Sequence, residues 1–155
     1  MIRPRTGADL DACVQALAEV HAADRYPVDW PDTPARWLTP ADLVRAWVAM
    51  EDGRVTGHVG LAEVEPDVAV SAGMSVAGAV TRLFVVPGAR GGGLAARLLD
   101  AVLAEVSPLT LEVSDEGRAA IALYERHGWR RLGSTRARWL NAAGEPALLH
   151  HYLSP

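Results

Sequence analysis

The chain has 155 residues, half of them apolar, and a formal net charge of −4. That length suits one domain with a full core, and no apolar run is long enough to span a bilayer as a helix. The overall acidity and the lack of a basic run argue against a nucleic-acid partner, and the single cysteine, Cys13, excludes an internal disulfide and a cysteine metal cluster.

Ile2 to Arg5 reads as a short first strand. Arg3 and Arg5 are followed by mixed sequence, not by the apolar stretch of a secretory signal, so a cytoplasmic location is expected. Thr6 and Asp9 form a capping-box pattern, and Leu10, Cys13, Val14, Leu17 and Val20 then recur at helical spacing. Residues 24–38, rich in proline and aromatics, are expected to be an irregular loop of the kind that carries specificity. Thr39-Pro40 predicts a helix start. Trp47 to Glu51 and Arg54 to Glu65 predict a hairpin around Asp52-Gly53, and residues 66–75 a loop. Ala79 to Val86 predicts a strand, and Leu94, Leu98, Val102 and Val106 mark one stripe of a helix stopped by Pro108. Leu109 to Val113 predicts the next strand and Gly117 to His127 a helix ended by Gly128. A final hairpin is expected from Trp129 to Leu140 and Ala147 to Leu153. The fold class is therefore α/β: a mixed, mostly antiparallel sheet flanked by helices.

The most informative segment is the turn Arg90-Gly91-Gly92-Gly93 between an apolar strand and a helix. The first turn of a helix leaves backbone N–H groups unpaired and carries partial positive charge. Glycines let a phosphate approach that backbone closely, and Arg90 adds a planar donor fork. Charge is segregated to match. Residues 1–81 hold six arginines against twelve carboxylates, and residues 82–138 nine against six. A polyanionic cofactor suits the second segment, and a cationic acceptor the first.

Gly91-Gly92-Gly93-Leu94-Ala95-Ala96 also fits the dinucleotide pattern G-x-G-x-x-G/A, with Glu112 near where a ribose-binding acid would stand. Context weakens that alternative, because such a motif usually opens a domain and is followed by several βα units. Arg90-Gly91-Gly92-Gly93-Leu94-Ala95 equally has the form R/Q-x-x-G-x-G/A. Taken with Leu83-Phe84-Val85-Val86-Pro87 before it and Leu123-Tyr124-Glu125-Arg126-His127-Gly128-Trp129 after it, the segment resembles the GNAT family of acetyl-CoA-dependent N-acyltransferases. A non-catalytic acyl-CoA-binding module is a further alternative.

The resemblance implies acetyl-CoA as cosubstrate, with its diphosphate on Arg90, Gly91, Gly92, Gly93, Leu94 and Ala95. It implies that the pantetheine arm lies along Leu83, Phe84 and Val85, where two strands splay apart and the Val85 N–H faces the thioester oxygen. Tyr124 matches the family's general acid, a phenol of pKa about 10 able to protonate a leaving thiolate of pKa about 8.5. Homodimers are common among similar proteins, so a dimer is possible by analogy. Two departures stand out. The stretch Gly78-Ala79-Val80-Thr81-Arg82 lacks the glutamate many members carry there, and Gly117 stands where an asparagine often helps hold the cofactor, with Ser114 or Asp115 as substitutes.

An alkyl amine of pKa about 10.4 is neutral in only about one molecule in 2,500 at pH 7, so a base is needed. Glu63 leads the candidates, followed by Glu112 and His58, with Glu65 also near; strand alternation sets His58 on the face opposite Glu63 and Glu65. Tyr26, Trp30 and Trp37, with Asp24, Asp29 and Asp32, are the expected acceptor-binding residues, joined by His58: aromatic faces with carboxylates suit an amine. The competing reading is that the tryptophans only anchor the loop. His150 and His151 alternate in direction on a strand and make a poor metal pair.

Overall fold

The computed structural model describes residues 1–64, 73 and 75–155. Glu65 and nearly all of the expected loop 66–75 lie outside the described residues. The chain forms a mixed, mostly antiparallel arrangement of seven described strands with helices. It divides into two compact units, Met1–Ala62 with Thr81–Glu105, and Glu63–Val80 with Val106–Pro155.

The first unit contains β1 (Ile2–Pro4), α1 (Leu10–Asp24), the short α2 (Pro34–Trp37), β2 (Leu43–Glu51), β3 (Arg54–Ala62), the Thr81–Val85 part of β4 (Gly78–Val85) and α3 (Leu94–Glu105). β1 pairs antiparallel with β2 (Ile2↔Ala49) and β2 with β3 (Trp47↔Val59). The helical spacing read from the sequence becomes the buried face of α1: Cys13, Ala16, Leu17 and Val20 join Leu38, Val48, Val55, Phe84 and Val86 in one apolar cluster. Removing a buried side chain of that size costs about 2–5 kcal/mol. The capping pattern also forms. Asp9 Oδ2 takes the Thr6 N–H at 2.7 Å, and both Asp9 oxygens take the Arg3 guanidinium at 2.8 Å. That fork holds the Asp9 carboxyl far below the usual carboxylate range. Gly57 on β3 allows close packing, since a Cβ there would meet Leu98 Cδ1 at 2.9 Å and the Phe84 carbonyl at 3.3 Å.

The second unit contains Gly78–Val80 of β4, β5 (Leu109–Ser114), α4 (Arg118–Arg126), β6 (Arg130–Leu140) and β7 (Pro146–Leu153). β4 runs parallel to β5 (Gly78↔Leu109, Val80↔Leu111), as expected when a helix connects two strands. β5 pairs antiparallel with β7, and β7 with β6. β6 is the edge, and Arg130, Arg131, Arg136 and Arg138 along it discourage further strand addition.

One expected element is absent. Thr39-Pro40 does not open a helix; a turn follows and β2 begins at Leu43. The same Thr-Pro signal six residues earlier is the one used, with Thr33 before α2 and Pro34 in its first turn. The Thr39 hydroxyl instead accepts a hydrogen bond from Arg5 Nη2 at 2.8 Å, so a long-range contact displaces the local cap.

Candidate active site

In the first unit, β4 ends at Val85, a single 3-10 turn spans Pro87–Ala89, and the glycine turn leads into α3. Gly91 (φ 89°) and Gly93 (φ 78°) are left-handed, a conformation that L side chains resist. A Cβ added at Gly91 or Gly92 meets nothing within 4 Å, and one at Gly93 only Arg97 Nη1 at 3.8 Å. Among the described residues no protein acceptor takes the N–H of Gly91, Gly92 or Gly93. Open approach, left-handed glycines and the start of a twelve-residue helix together fit a diphosphate. A groove of about 510 Å³ also lies in this unit, but Glu19, Glu51 and Asp52 line it against a single cation, Arg54, which is already paired with Glu19, so it suits phosphate less well.

Arg90 differs from expectation. Its Nε donates to the Val85 carbonyl at 3.1 Å and its Nη2 pairs with Asp24. Much of the fork therefore braces the turn against the end of α1, and Asp24 is a structural partner of Arg90. The cation that sequence reasoning missed is Arg97, exposed one turn into α3, whose Nη1 reaches the Gly92 carbonyl at 2.7 Å. Its position four residues after Gly93, on the same helix face, was the available signal.

Phe84 and Val85 are buried and Leu83 is half-buried. His58 is fully buried and stacks on Phe84, with ring centroids 5.1 Å apart. Its Nδ1 donates to the Arg82 carbonyl at 2.8 Å, and its Nε2 accepts from Arg5 Nη1 at 2.9 Å. Arg5 can only donate and a carbonyl can only accept, so the tautomer is fixed. Burial first, and the neighbouring Arg5 and Arg82 charges after it, push the imidazole down to about 4, against the opposing carbonyl bond. His58 is thus neutral, with its lone pair occupied, and in this arrangement it is available neither as a base nor as an acceptor contact.

The aromatic loop is only partly exposed. Tyr26 and Trp30 keep 36% and 39% of their surface. Trp30 lies 5.3 Å from the His21 ring, and Tyr26 meets the Trp37 ring edge-on at 5.8 Å. The guanidinium carbon of Arg82 sits 4.0 Å from the centre of the Trp37 ring.

In the second unit, Tyr124 on α4 is buried, with ring contacts to Trp129 and Tyr152. Glu63 is exposed just past the end of β3. Glu112 on β5 is exposed, 4.0 Å from His151, whose Nε2 lies 2.8 Å from the Thr135 hydroxyl. Gly117 precedes α4 where space is tight: a Cβ would stand 3.0 Å from Val113 Cγ2 and 3.1 Å from the Ser114 carbonyl, so the asparagine often found at that place in similar proteins would need these neighbours to give by a few tenths of an ångström. Of its possible substitutes, the Ser114 hydroxyl accepts from the Glu116 N–H at 3.3 Å, and Asp115 pairs with His150 at 2.8 Å.

A family model described as "Acetyltransferase (GNAT) family" matches residues 13–129. No curated protein matches the chain. Solved structures do. The ribosomal-protein-S18-alanine N-acetyltransferase of Escherichia coli is 20% identical with a TM-score of 0.73, covering 100% of this chain and 92% of its own. The ribosomal-protein-alanine N-acetyltransferase of Brucella melitensis is 23% identical at 0.74, covering 99% and 98%. Arabidopsis thaliana NAA60 in complex with acetyl-CoA is 18% identical at 0.74, covering 99% and 96%. At these identities the likeness is one of fold.

Proposed function

Because the chain belongs to the GNAT acetyltransferase family, we propose that it moves the acetyl group of acetyl-CoA to the amine of a small molecule or a protein by direct attack. Acetyl-CoA supplies the acyl carbon, activated as a thioester. The observation that carries this reading is the Gly91–Gly93 turn, with its left-handed glycines, open approach and unpaired amides. The N–H groups from Gly91 to Ala95 would hold the diphosphate, with Arg97 adding charge beside them. The backbone of Leu83, Phe84 and Val85 would align the pantetheine arm.

Tyr124 is assigned the role of proton donor to the departing thiolate, on its place in the Leu-Tyr-Glu motif. For the base, Glu63 and then Glu112 remain the candidates. His58 leaves that set because Arg5 occupies its lone pair and opposes its protonation. The whole chain is read as one acyltransferase domain. Among the described residues no helix is long and apolar enough to cross a membrane. A cytoplasmic location and assembly as a homodimer are part of the same reading.

The test couples two measurements. Calorimetric titration should show CoA binding and no NAD binding. Thiol release from acetyl-CoA should require an added amine, and Tyr124→Phe should lower kcat while leaving CoA affinity within about twofold. NAD binding without CoA binding would overturn the reading, and full turnover by the phenylalanine variant would remove Tyr124 from the role.

A further inference from the structure

We propose that Arg82 selects the acceptor by gripping an oxyanion, such as a carboxylate, carried on the same molecule as the amine. The proposal rests on the acetyltransferase reading and narrows its substrate class. The sequence alone, with aromatic residues among acids, favours a cationic acceptor group held on aromatic faces. The structure changes that balance. A guanidinium already lies over the Trp37 ring, so a second cation at that face meets like charge.

Arg82 is set in place by two separate arrangements. Its backbone is left-handed (φ 52°) in the middle of β4, which is uncommon for a residue with a side chain and persists only where its surroundings enforce it. The enforcing contact is half-buried: the fully buried His58 donates to the Arg82 carbonyl, Arg5 donates to His58, and Arg5 is itself anchored on the Leu38 carbonyl at 2.7 Å. The side chain is held separately, with Nε donating to the Trp37 carbonyl at 3.0 Å and a long contact of 3.4 Å from Nη1 to the Thr81 hydroxyl.

What remains is the outer edge of the fork. Nη2 has no acceptor among the described residues. Arg3, Arg45, Arg54, Arg90 and Arg131 each lie within ion-pair distance of a carboxylate, but half-buried Arg82 meets none among the described residues. A partly desolvated guanidinium with a fixed plane and no counter-ion among the described residues is well suited to a bidentate oxyanion. The Tyr26 phenol is near enough for the Arg82 charge to be felt. Although a third of the residue is accessible, burial pushes that phenol up to about 12, so it stays protonated and able to donate.

The experiment compares matched acceptors with the intact protein and acetyl-CoA: L-phenylalanine against 2-phenylethylamine and L-phenylalanine amide, aminomethylphosphonate against methylamine, and a tripeptide amide. The expected result is a kcat/KM at least about tenfold higher for the oxyanion-bearing member of a pair, the scale of one charge-assisted hydrogen bond. Arg82→Met should erase that preference mainly through KM, Arg82→Lys should retain part of it, and calorimetry should show acetyl-CoA affinity unchanged in both. Equal rates within pairs, preference for the neutral amine or peptide amide, or no turnover of any oxyanion-bearing amine while acetyl-CoA still binds would each overturn the proposal. If acetyl-CoA itself fails to bind, the acetyltransferase reading falls and the acceptor proposal falls with it.

Discussion

His58 in the first unit and His150 in the second are both buried histidines with both ring nitrogens engaged, yet they hold opposite tautomers. At His58 the partners are a guanidinium on Nε2 and a carbonyl on Nδ1, so Nδ1 carries the hydrogen. At His150 the partners are the Asp115 carboxylate on Nε2 at 2.8 Å and the Ser134 hydroxyl on Nδ1 at 2.6 Å. A carboxylate can only accept, so Nε2 carries the hydrogen there and the serine donates to Nδ1 of the neutral ring. The partner on each ring nitrogen decides where the hydrogen sits. Burial first, and then the neighbouring cations, disfavour protonation of His58 and leave a fixed strut at neutral pH. The carboxylate beside His150 accepts its Nε2 hydrogen, and the ring makes a cross-strand tie on the hairpin.

The largest test of this contrast is His58→Leu. It strands a half-buried arginine donor and a half-buried carbonyl, and should cost about 2–4 kcal/mol in urea unfolding. A cost below about 1 kcal/mol would mean that the strut is dispensable. His58→Gln, which can still accept from Arg5, should recover part of the loss.

The next effect is on the pH dependence of stability. The folded pKa of His58, about 4, lies below the unfolded value, so the unfolded chain takes up the proton first. This contribution is intact above about pH 6.5, declines as pH falls towards 4, and amounts to roughly 3 kcal/mol over that window. Chemical denaturation from pH 7.5 to 4 should show the slope in the native protein and lose it in His58→Gln. The same slope in both would place its source elsewhere.

His150→Ala should cost less, about 1–2 kcal/mol, because the Ser134 and Asp115 groups it releases are exposed and can turn to water. An effect as large as that of His58→Leu would remove the distinction between strut and tie. Asp115→Asn is the smallest. The His150 hydrogen bond holds the Asp115 carboxyl below its usual range. Its contribution is therefore present above the unfolded carboxylate pKa and disappears as pH falls through the lower folded value. Melting temperatures of variant and native protein should differ slightly at neutral pH and converge once the pH falls below the lowered folded value of Asp115.

Much of this molecule was legible from local pattern. The 3.6-residue spacing of Cys13, Leu17 and Val20 became the buried face of α1. The Asp52-Gly53 and Gly144 turns joined the strands they were read to join, and both left-handed glycines of the cradle fall within the three singled out. The misreadings arose where a residue had both a local and a distant use. Thr39 looked like a cap and became an arginine acceptor. Arg90 looked like a phosphate ligand and became largely a brace. His58 looked like a base and became a strut.

The sequence by itself determined most of the order of elements, the glycine turn and the family, because these depend on spacing along the chain and on the conformational freedom of glycine. Only the tertiary structure decided which polar side chains have atoms left for a substrate. That depends on partners 24 to 66 residues away, such as Arg82 for His58 and Asp24 for Arg90. A hydrogen-bonding atom already occupied in the fold cannot also serve the chemistry, and no local pattern records that occupancy.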